Sequence, residues 1–149
     1  MRVVLQRVDG ASVEVDGRVV GAVDLGLLAL VGVAADDTPD DARRLADKTA
    51  TLRIFARGDR PFDASVTDVG GAVLCVSQFT LLADTRRGNR PSWSGAAPGE
   101  VAEPLVEAYA TALEARGVPV QRGVFGAHMR VRLCNDGPVT IVLDGPAGP

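Results

Sequence analysis

The chain has 149 residues, 46% of them hydrophobic, which suits one domain whose core needs neither disulfides nor metal. Sixteen basic against nineteen acidic residues leave a net charge of −3, which excludes a protein that coats nucleic acid through a broad basic face. A single histidine, His128, excludes multi-histidine metal centres and would have to serve any Ser-His or Cys-His nucleophile system. Strand patterns open the chain: Arg2 to Val8, a turn at Asp9-Gly10, then Ala11 to Val15. Asp16-Gly17 is a hairpin signal leading into Arg18 to Val23. Leu25 to Ala34 is almost wholly apolar and reads as a central strand buried on both faces.

Thr38-Pro39-Asp40-Asp41 is a helix start, with a capping hydroxyl, a proline at the first position and acids in the first turn. Ala42, Leu45, Ala46, Thr49 and Leu52 then share one face, so this helix lies on a sheet. Ile54-Phe55 leads to a polar loop, Arg57 to Val69, and Gly71 to Phe79 is a second buried strand. A long loop from Leu82 to Pro98, rich in Gly, Arg and Ser, has the length and composition of a functional segment. Val101, Leu105, Ala108, Tyr109, Ala112 and Leu113 mark a second helix that ends at Gly117. It starts either at Glu103-Pro104 or at Pro98 with Pro104 inside it. Three strands finish the pattern, at Pro119 to Phe125, Met129 to Cys134 and Val139 to Leu143, before a frayed end over 144–149. The expected fold is one α/β domain spanning 1–149, with two helices packed on a β-sheet.

The two cysteines, Cys75 and Cys134, lie in apolar runs and read as small buried hydrophobes of a reduced cytoplasm. The longest apolar run is too short for a bilayer, and Gln6 and Arg7 come too early for a signal peptide, so no membrane role is expected. No P-loop, dinucleotide fingerprint or cysteine cluster appears, and neither cofactor nor metal is expected.

Four stretches can carry chemistry. Ser77-Gln78-Phe79-Thr80-Leu81 sits where the most apolar strand runs out, offering two hydroxyls, an amide and a flat ring on a rigid scaffold. The competing reading is a strand end whose hydroxyls satisfy nearby backbone. Asn135-Asp136-Gly137-Pro138 is turn chemistry throughout, so the residues alone favour a tight hairpin over the more specific possibility of a cis Gly-Pro bond. Arg86, Arg87 and Arg90 form the densest basic cluster, either a solvated loop or a local phosphate grip. Arg7 shares parity with Val3 and Leu5, so it points inward and needs a partner, in a salt bridge or in a site.

Taken together, these stretches resemble the D-aminoacyl-tRNA deacylases, also called D-tyrosyl-tRNA deacylases. The resemblance runs from Gln6-Arg7-Val8 and Ala11-Ser12-Val13 through Gly70-Gly71, Ser77 to Leu81 and Arg90-Pro91-Ser92-Trp93. It continues through Phe125-Gly126-Ala127 to Asn135-Asp136-Gly137-Pro138-Val139-Thr140 and so spans essentially the whole chain. It implies a homodimer of three-layered α/β subunits with active sites at the interface. The implied reaction is hydrolysis of the ester joining a D-amino acid to the terminal adenosine of tRNA. The same resemblance places Ser77, Gln78, Phe79 and Thr80 around the ester and adenosine, and assigns Arg7, Met129 and Asn135 to substrate binding. Gly137-Pro138 would be a cis dipeptide entering the partner's site. Its carbonyls would accept from the substrate ammonium and crowd the position of an L side chain, so that a glycyl ester, with nothing to exclude, leaks through. Nothing near Thr80 in sequence supplies a general base. The family resemblance also fits assistance by the 2′-hydroxyl of the terminal ribose, with protein amides on the oxyanion, and this reading is favoured over a threonine nucleophile, whose lone hydroxyl is weak. Two competing classes are a hydrolase of small esters or amides and a non-catalytic RNA-binding module; the six aromatics and net charge of −3 argue against the latter. A relative of altered chirality, with a trans Gly137-Pro138, is a third.

Overall fold

A computed structural model describes residues 1–145. Strands β1 (Arg2–Val15) and β2 (Arg18–Gly32) form a long antiparallel hairpin. Its turn is Asp16-Gly17, both at positive φ (50° and 77°), the geometry that matches the natural twist of paired strands. Helix α1 (Pro39–Thr51) follows, then a small hairpin of β3 (Phe55–Arg57) and β4 (Arg60–Ala64). Strand β5 (Ala72–Ser77), a 3-10 turn (Phe79–Leu82), helix α2 (Gly99–Ala115), β6 (Val120–Arg122) and β7 (Arg130–Asp144) complete the chain. The main sheet has the order β6-β5-β2-β1-β7, parallel between β2, β5 and β6 and antiparallel between β2, β1 and β7.

The helices take one face of this sheet. Thr38 caps α1 through a reciprocal box, its hydroxyl accepting from the Asp41 N–H at 3.3 Å while the Asp41 carboxylate accepts from the Thr38 N–H at 3.0 Å. Helix α2 opens after Pro98 and runs through Pro104, which settles the two starts that the sequence left open. Leu45, Ala46 and Ala50 of α1 pack with Leu105, Tyr109 and Leu113 of α2 over Val3, Leu5, Leu27 and Val31 of the sheet. The buried Tyr109 hydroxyl lies 2.9 Å from Thr49 Oγ1. Thr49 gives its own proton to the Leu45 carbonyl, so Tyr109 donates, and the polar pair is satisfied where helix meets helix. On the other face, the outer end of the β1–β2 hairpin curls over the sheet and buries Val8, Val13, Val23, Leu28, Leu74 and Val76. Gly21 of this curl lies so close to β6 that a Cβ there would stand 2.7 Å from the Arg122 carbonyl oxygen. Helices, sheet and curled hairpin are the three layers.

Several expectations are corrected. Asp9-Gly10 is not a turn: β1 runs through it, and Asp9 and Gly10 together face Cys134 of β7, between the pairs Val8–Asn135 and Ala11–Leu133. Gly10, at φ 103°, absorbs the extra residue as a bulge. Asn135 to Pro138 is not a hairpin either. Strand β7 continues antiparallel to β1 on both sides, from Asn135 opposite Val8 to Thr140 opposite Gln6. The polar stretch after Phe55 forms the β3–β4 hairpin, whose exposed polar strands lack apolar alternation. Cys134 is exposed, because β7 is an edge strand, whereas Cys75 is buried. The expected tail starts too early: Asp144 still pairs with Arg2 at 2.7 Å, and the Gly145 N–H donates to the Met1 carbonyl at 2.7 Å. The rest of that tail, 146–149, lies outside the described residues. Among the described residues no helix is long and apolar enough to cross a membrane.

The Met1 ammonium is buried against the Asp37 carboxylate, whose second oxygen accepts from the Ala34 N–H. Asp37→Ala leaves that ammonium buried without its counter-charge, and a loss of about 3–5 kcal/mol is expected. Chemical denaturation checks this, and a loss below about 1 kcal/mol, the value of an ordinary surface pair, would refute the role given to the pair.

Candidate active site

The site grows from the end of β5. Its apolar run, Ala72 to Val76, is fixed between β2 and β6, and Ser77 pairs with Val31. The Gln78 N–H extends the ladder by one bond to the Val31 carbonyl at 2.7 Å. The chain then leaves the sheet, two residues earlier than the sequence suggests, and closes the 3-10 turn through Leu81 N–H to Gln78 C=O at 3.2 Å. Ser77 and Gln78 are therefore half-buried, while Phe79 and Thr80 project into solvent. Gln78 Nε2 donates to Thr80 Oγ1, which leaves the threonine proton free to point outward. Phe79 meets Trp93 edge to face, with ring centroids 5.5 Å apart, which ties the turn to the far end of the long arginine loop.

Ser77, Gln78 and Phe79 line one side of a cleft of about 200 Å³; Ala102 and Val106 of α2, with Phe125, line the other. Thr80 stands beside this lining and is joined to it by the Gln78 bond. The walls are apolar and include a flat ring, a shape that suits a planar heterocycle. No side chain in the lining carries a charge. A second cavity, of about 330 Å³, adjoins it through Ser77, Val106 and Phe125 and reaches Cys75, Glu107 and Arg122. Arg122 is clamped to Glu107 at 2.8 Å and to Glu114 at 2.7 Å. Its hydrogen bonds hold both carboxyls below the usual carboxylate range, which makes them weak bases. Burial pushes the Cys75 thiol up to about 12, so it is no nucleophile at neutral pH. His128 lies elsewhere, beside Glu14, Asp16 and Arg130 at the tip of the β1–β2 hairpin.

A second cluster forms around Arg7. Four residues of β7, 136–139, stand opposite this one residue of β1. Arg7 Nη1 donates to the Ile54 carbonyl at 2.7 Å and Nε to the Asp136 carbonyl at 3.0 Å, with the Asp136 carboxylate also at 3.0 Å. Asn135 braces the same loop: Oδ1 accepts from the Val139 N–H at 3.0 Å, and Nδ2 donates to Thr140 Oγ1 at 2.9 Å. Gln6 Nε2 also donates to Thr140 Oγ1, at 3.2 Å. Within this frame the Gly137-Pro138 peptide is cis, and both residues are exposed. Gly137 has φ 138°, and a Cβ there would stand 2.8 Å from the Val139 nitrogen. Only glycine fits.

One chain does not bring the two clusters together. Ser77 is level with Val31 and Val3, whereas Gly137-Pro138 is level with Arg7, four residues along and three strands across from β5. At about 3.3 Å per residue and 4.8 Å per strand, that is roughly 20 Å. Met129 belongs to neither cluster: it packs on Gly123 among the residues of the curled face, beyond the cleft. Phe125 and the α2 wall are not legible as site residues in the pattern, because apolar side chains facing a cleft look in sequence like any others facing a core.

The family model for D-Tyr-tRNA(Tyr) deacylase matches residues 4–144. The D-aminoacyl-tRNA deacylase of Roseiflexus castenholzii is 60% identical over 144 residues, covering 97% of this chain and 92% of that protein. The D-aminoacyl-tRNA deacylase of Mycobacterium bovis is 55% identical over 148 residues, 97% of this chain and all of its own length. Among solved structures, the c-Myc DNA Unwinding Element Binding Protein superposes with a TM-score of 0.93 at 38% identity, over 99% of this chain and 100% of that one. A probable eukaryotic D-amino acid tRNA deacylase, at 18% identity and a TM-score of 0.83 over 95% of this chain and 97% of that one, shares the fold. With its matched span running from β1 to the end of β7, this chain belongs to the D-Tyr-tRNA(Tyr) deacylase family.

Proposed function

We propose that this protein hydrolyses the ester bond of D-aminoacyl-tRNA, releasing the D-amino acid and free tRNA, and that it does so as a homodimer in the cytoplasm. Family membership, with Ser77 to Thr80 set on an uncharged cleft, is the observation that carries this reading. The apolar slot against Phe125 takes the terminal adenine, and the ester lies over Gln78, Phe79 and Thr80. Gly137-Pro138 of the second subunit enters the cleft and bars L side chains while accepting the substrate ammonium. Two observations support a second chain: roughly 20 Å separate loop and cleft within one subunit, and β7 is a 15-residue edge strand with one side unpaired among the described residues. Arg7 and Asn135 act from behind by fixing the loop. Glycine offers no side chain to exclude, so glycyl-tRNA is also cleaved.

The step itself is addition of water to the ester carbonyl, followed by departure of the ribose 3′-oxygen. The water's proton must go somewhere, and the cleft lining offers no base. The neighbouring ribose 2′-hydroxyl takes part in moving it toward the leaving oxygen. The amides of Phe79 and Thr80, at the start of the 3-10 turn, are the donors nearest to hand for the oxyanion. Thr80 positions the ester through its free proton.

Thr80→Ala is then expected to keep kcat within about tenfold, the scale of one hydrogen bond, whereas replacing the terminal 2′-hydroxyl with hydrogen lowers it by about 10²–10⁴. Single-turnover deacylation of D-Tyr-tRNA measures both. A Thr80→Ala loss near the ~10⁶ typical of a removed nucleophile would overturn the substrate-assisted step.

Arg7→Ala frees the loop without touching the cleft. Its expected effect is on selectivity: the D over L ratio of kcat/KM for Tyr-tRNA falls at least about tenfold, worth about 1.4 kcal/mol of discrimination. If the ratio is unchanged in a variant that remains folded, Gly137-Pro138 does not set the chirality of the site.

A further inference from the structure

The loop between the 3-10 turn and Trp93 carries three arginines that the reaction does not use. Its base is closed by a pair of backbone bonds, Asp84 N–H to Ser92 C=O at 2.7 Å and Ser92 N–H to Asp84 C=O at 3.0 Å. One of its arginines is committed inward. Arg86 binds Asp84 with two parallel bonds, Nε to Oδ1 at 2.9 Å and Nη2 to Oδ2 at 2.7 Å, and its backbone N–H donates to the same carboxylate at 3.0 Å. These bonds pull the Asp84 carboxyl down to about 2, so it stays ionised and cancels Arg86 at any working pH. Arg87 and Arg90 are exposed and have no acidic partner among the described residues. With Ser92 and the Asp84–Arg86 pair they line one open depression of about 470 Å³, and Asp84 is the only acid in that lining.

Placement gives this depression its meaning. Its base, Asp84, lies two residues beyond the 3-10 turn that carries Thr80, and Trp93 at its other end rests on Phe79. The loop that carries the two uncancelled cations is therefore anchored at both ends to the turn over which the ester would lie, on a protein whose net charge of −3 gives no general attraction for polyanions. Two guanidiniums and a serine hydroxyl around one concave surface match phosphodiester oxygens, which accept in the forked geometry arginine supplies.

We propose that Arg87 and Arg90, with Ser92, grip the phosphodiester backbone of the tRNA acceptor end, while Arg86 serves only to shape the loop. This rests on the reading of the cleft as a site for the esterified 3′ end. Such contacts carry no sequence information, so they would hold any tRNA alike and leave selection to the cleft and its loop.

The test pairs two substrates with one binding measurement. Wild type and Arg87→Ala/Arg90→Ala are compared on D-Tyr-tRNA, on the small ester 3′-O-D-tyrosyl-adenosine, and in binding to uncharged tRNA across a salt series. The expected results are a KM for D-Tyr-tRNA raised about ten- to a hundredfold with kcat unchanged, and a slope of log K against log salt reduced by about 1.5. Cleavage of the adenosine ester stays at the wild-type rate, and Arg87→Lys/Arg90→Lys, which keeps the charges, restores most of the binding. Wild-type tRNA affinity and salt slope in the alanine variant would overturn the proposal. So would an equal loss on the adenosine ester, which would mean that the loop only shapes the cleft. Should the wild type bind tRNA and cleave neither ester, the function proposed above fails, while the binding series still decides this one.

Discussion

A single guanidinium holds the most irregular part of this structure in place. Arg7 sits in the middle of β1, its side chain 14% exposed, where four residues of β7 must be accommodated opposite one. Strand pairing alone cannot fix such a segment, because its backbone groups have lost their ladder partners. Arg7 replaces the ladder with directed bonds to the Asp136 carbonyl and carboxylate on one side and to the Ile54 carbonyl, just after α1, on the other. Asn135 and Gln6 add bonds around Thr140. The exposed Gly137-Pro138 pair is thus a rigid projection rather than a loop tip. A lysine in place of Arg7 would offer a point charge without the fork needed to reach two elements at once.

The part of the fold that local pattern determines is the part where partner and neighbour in sequence coincide. Helix α1 is legible from Thr38 to Leu52 because capping box, proline and apolar face all belong to the helix itself. Asp16-Gly17 is legible because a two-residue hairpin turn needs only its own strands. Asp9-Gly10 carries the same dipeptide signal and becomes a bulge, because β7, more than 120 residues later, pairs with β1 across it. Asn135 to Pro138 fails in the same way and for the same reason: β1 pairs with β7 on both sides, so what looks like a reversal is an interruption. Turn chemistry reports that a segment departs from regular structure, and long-range pairing decides whether the chain turns back.

The site shows the same division. Ser77 to Thr80 stands out because polar residues follow at once on a fully apolar strand, and the strand's own geometry then carries them out of the sheet. Arg7 stands out through parity with Val3 and Leu5, and its partners are indeed elsewhere. Their identity was not legible, since Ile54 contributes a backbone carbonyl and any residue has one. Nor was the opposite wall of the cleft, where Ala102, Val106 and Phe125 are apolar residues of ordinary spacing. The exposure of Cys134 escaped because an edge strand and a central strand have similar composition until the sheet order is known.

The electrostatics of the cleft and of its surroundings point the same way. Of the carboxylates on α2, Glu107 and Glu114 are drawn off by Arg122 and Glu103 lines the adjoining cavity, not the cleft, while the only imidazole lies at the tip of the β1–β2 hairpin. A site that worked by protein acid–base catalysis would need a titratable group in the lining, tuned toward neutrality by burial or a neighbour. Here burial acts on a thiol and a phenol that are thereby kept neutral, and pairing acts on carboxylates that are thereby kept charged. What remains at the cleft is shape, two hydroxyls, an amide and the leading N–H groups of a short turn. Such a set can hold an ester and a developing oxyanion but cannot remove a proton. An aminoacylated ribose brings a hydroxyl adjacent to the bond to be broken. On the mechanism proposed above, a cleft whose lining offers no base would suit that substrate and serve poorly a simple ester that lacks such a neighbour, and the chemistry itself would confine the enzyme to the 3′ end of RNA.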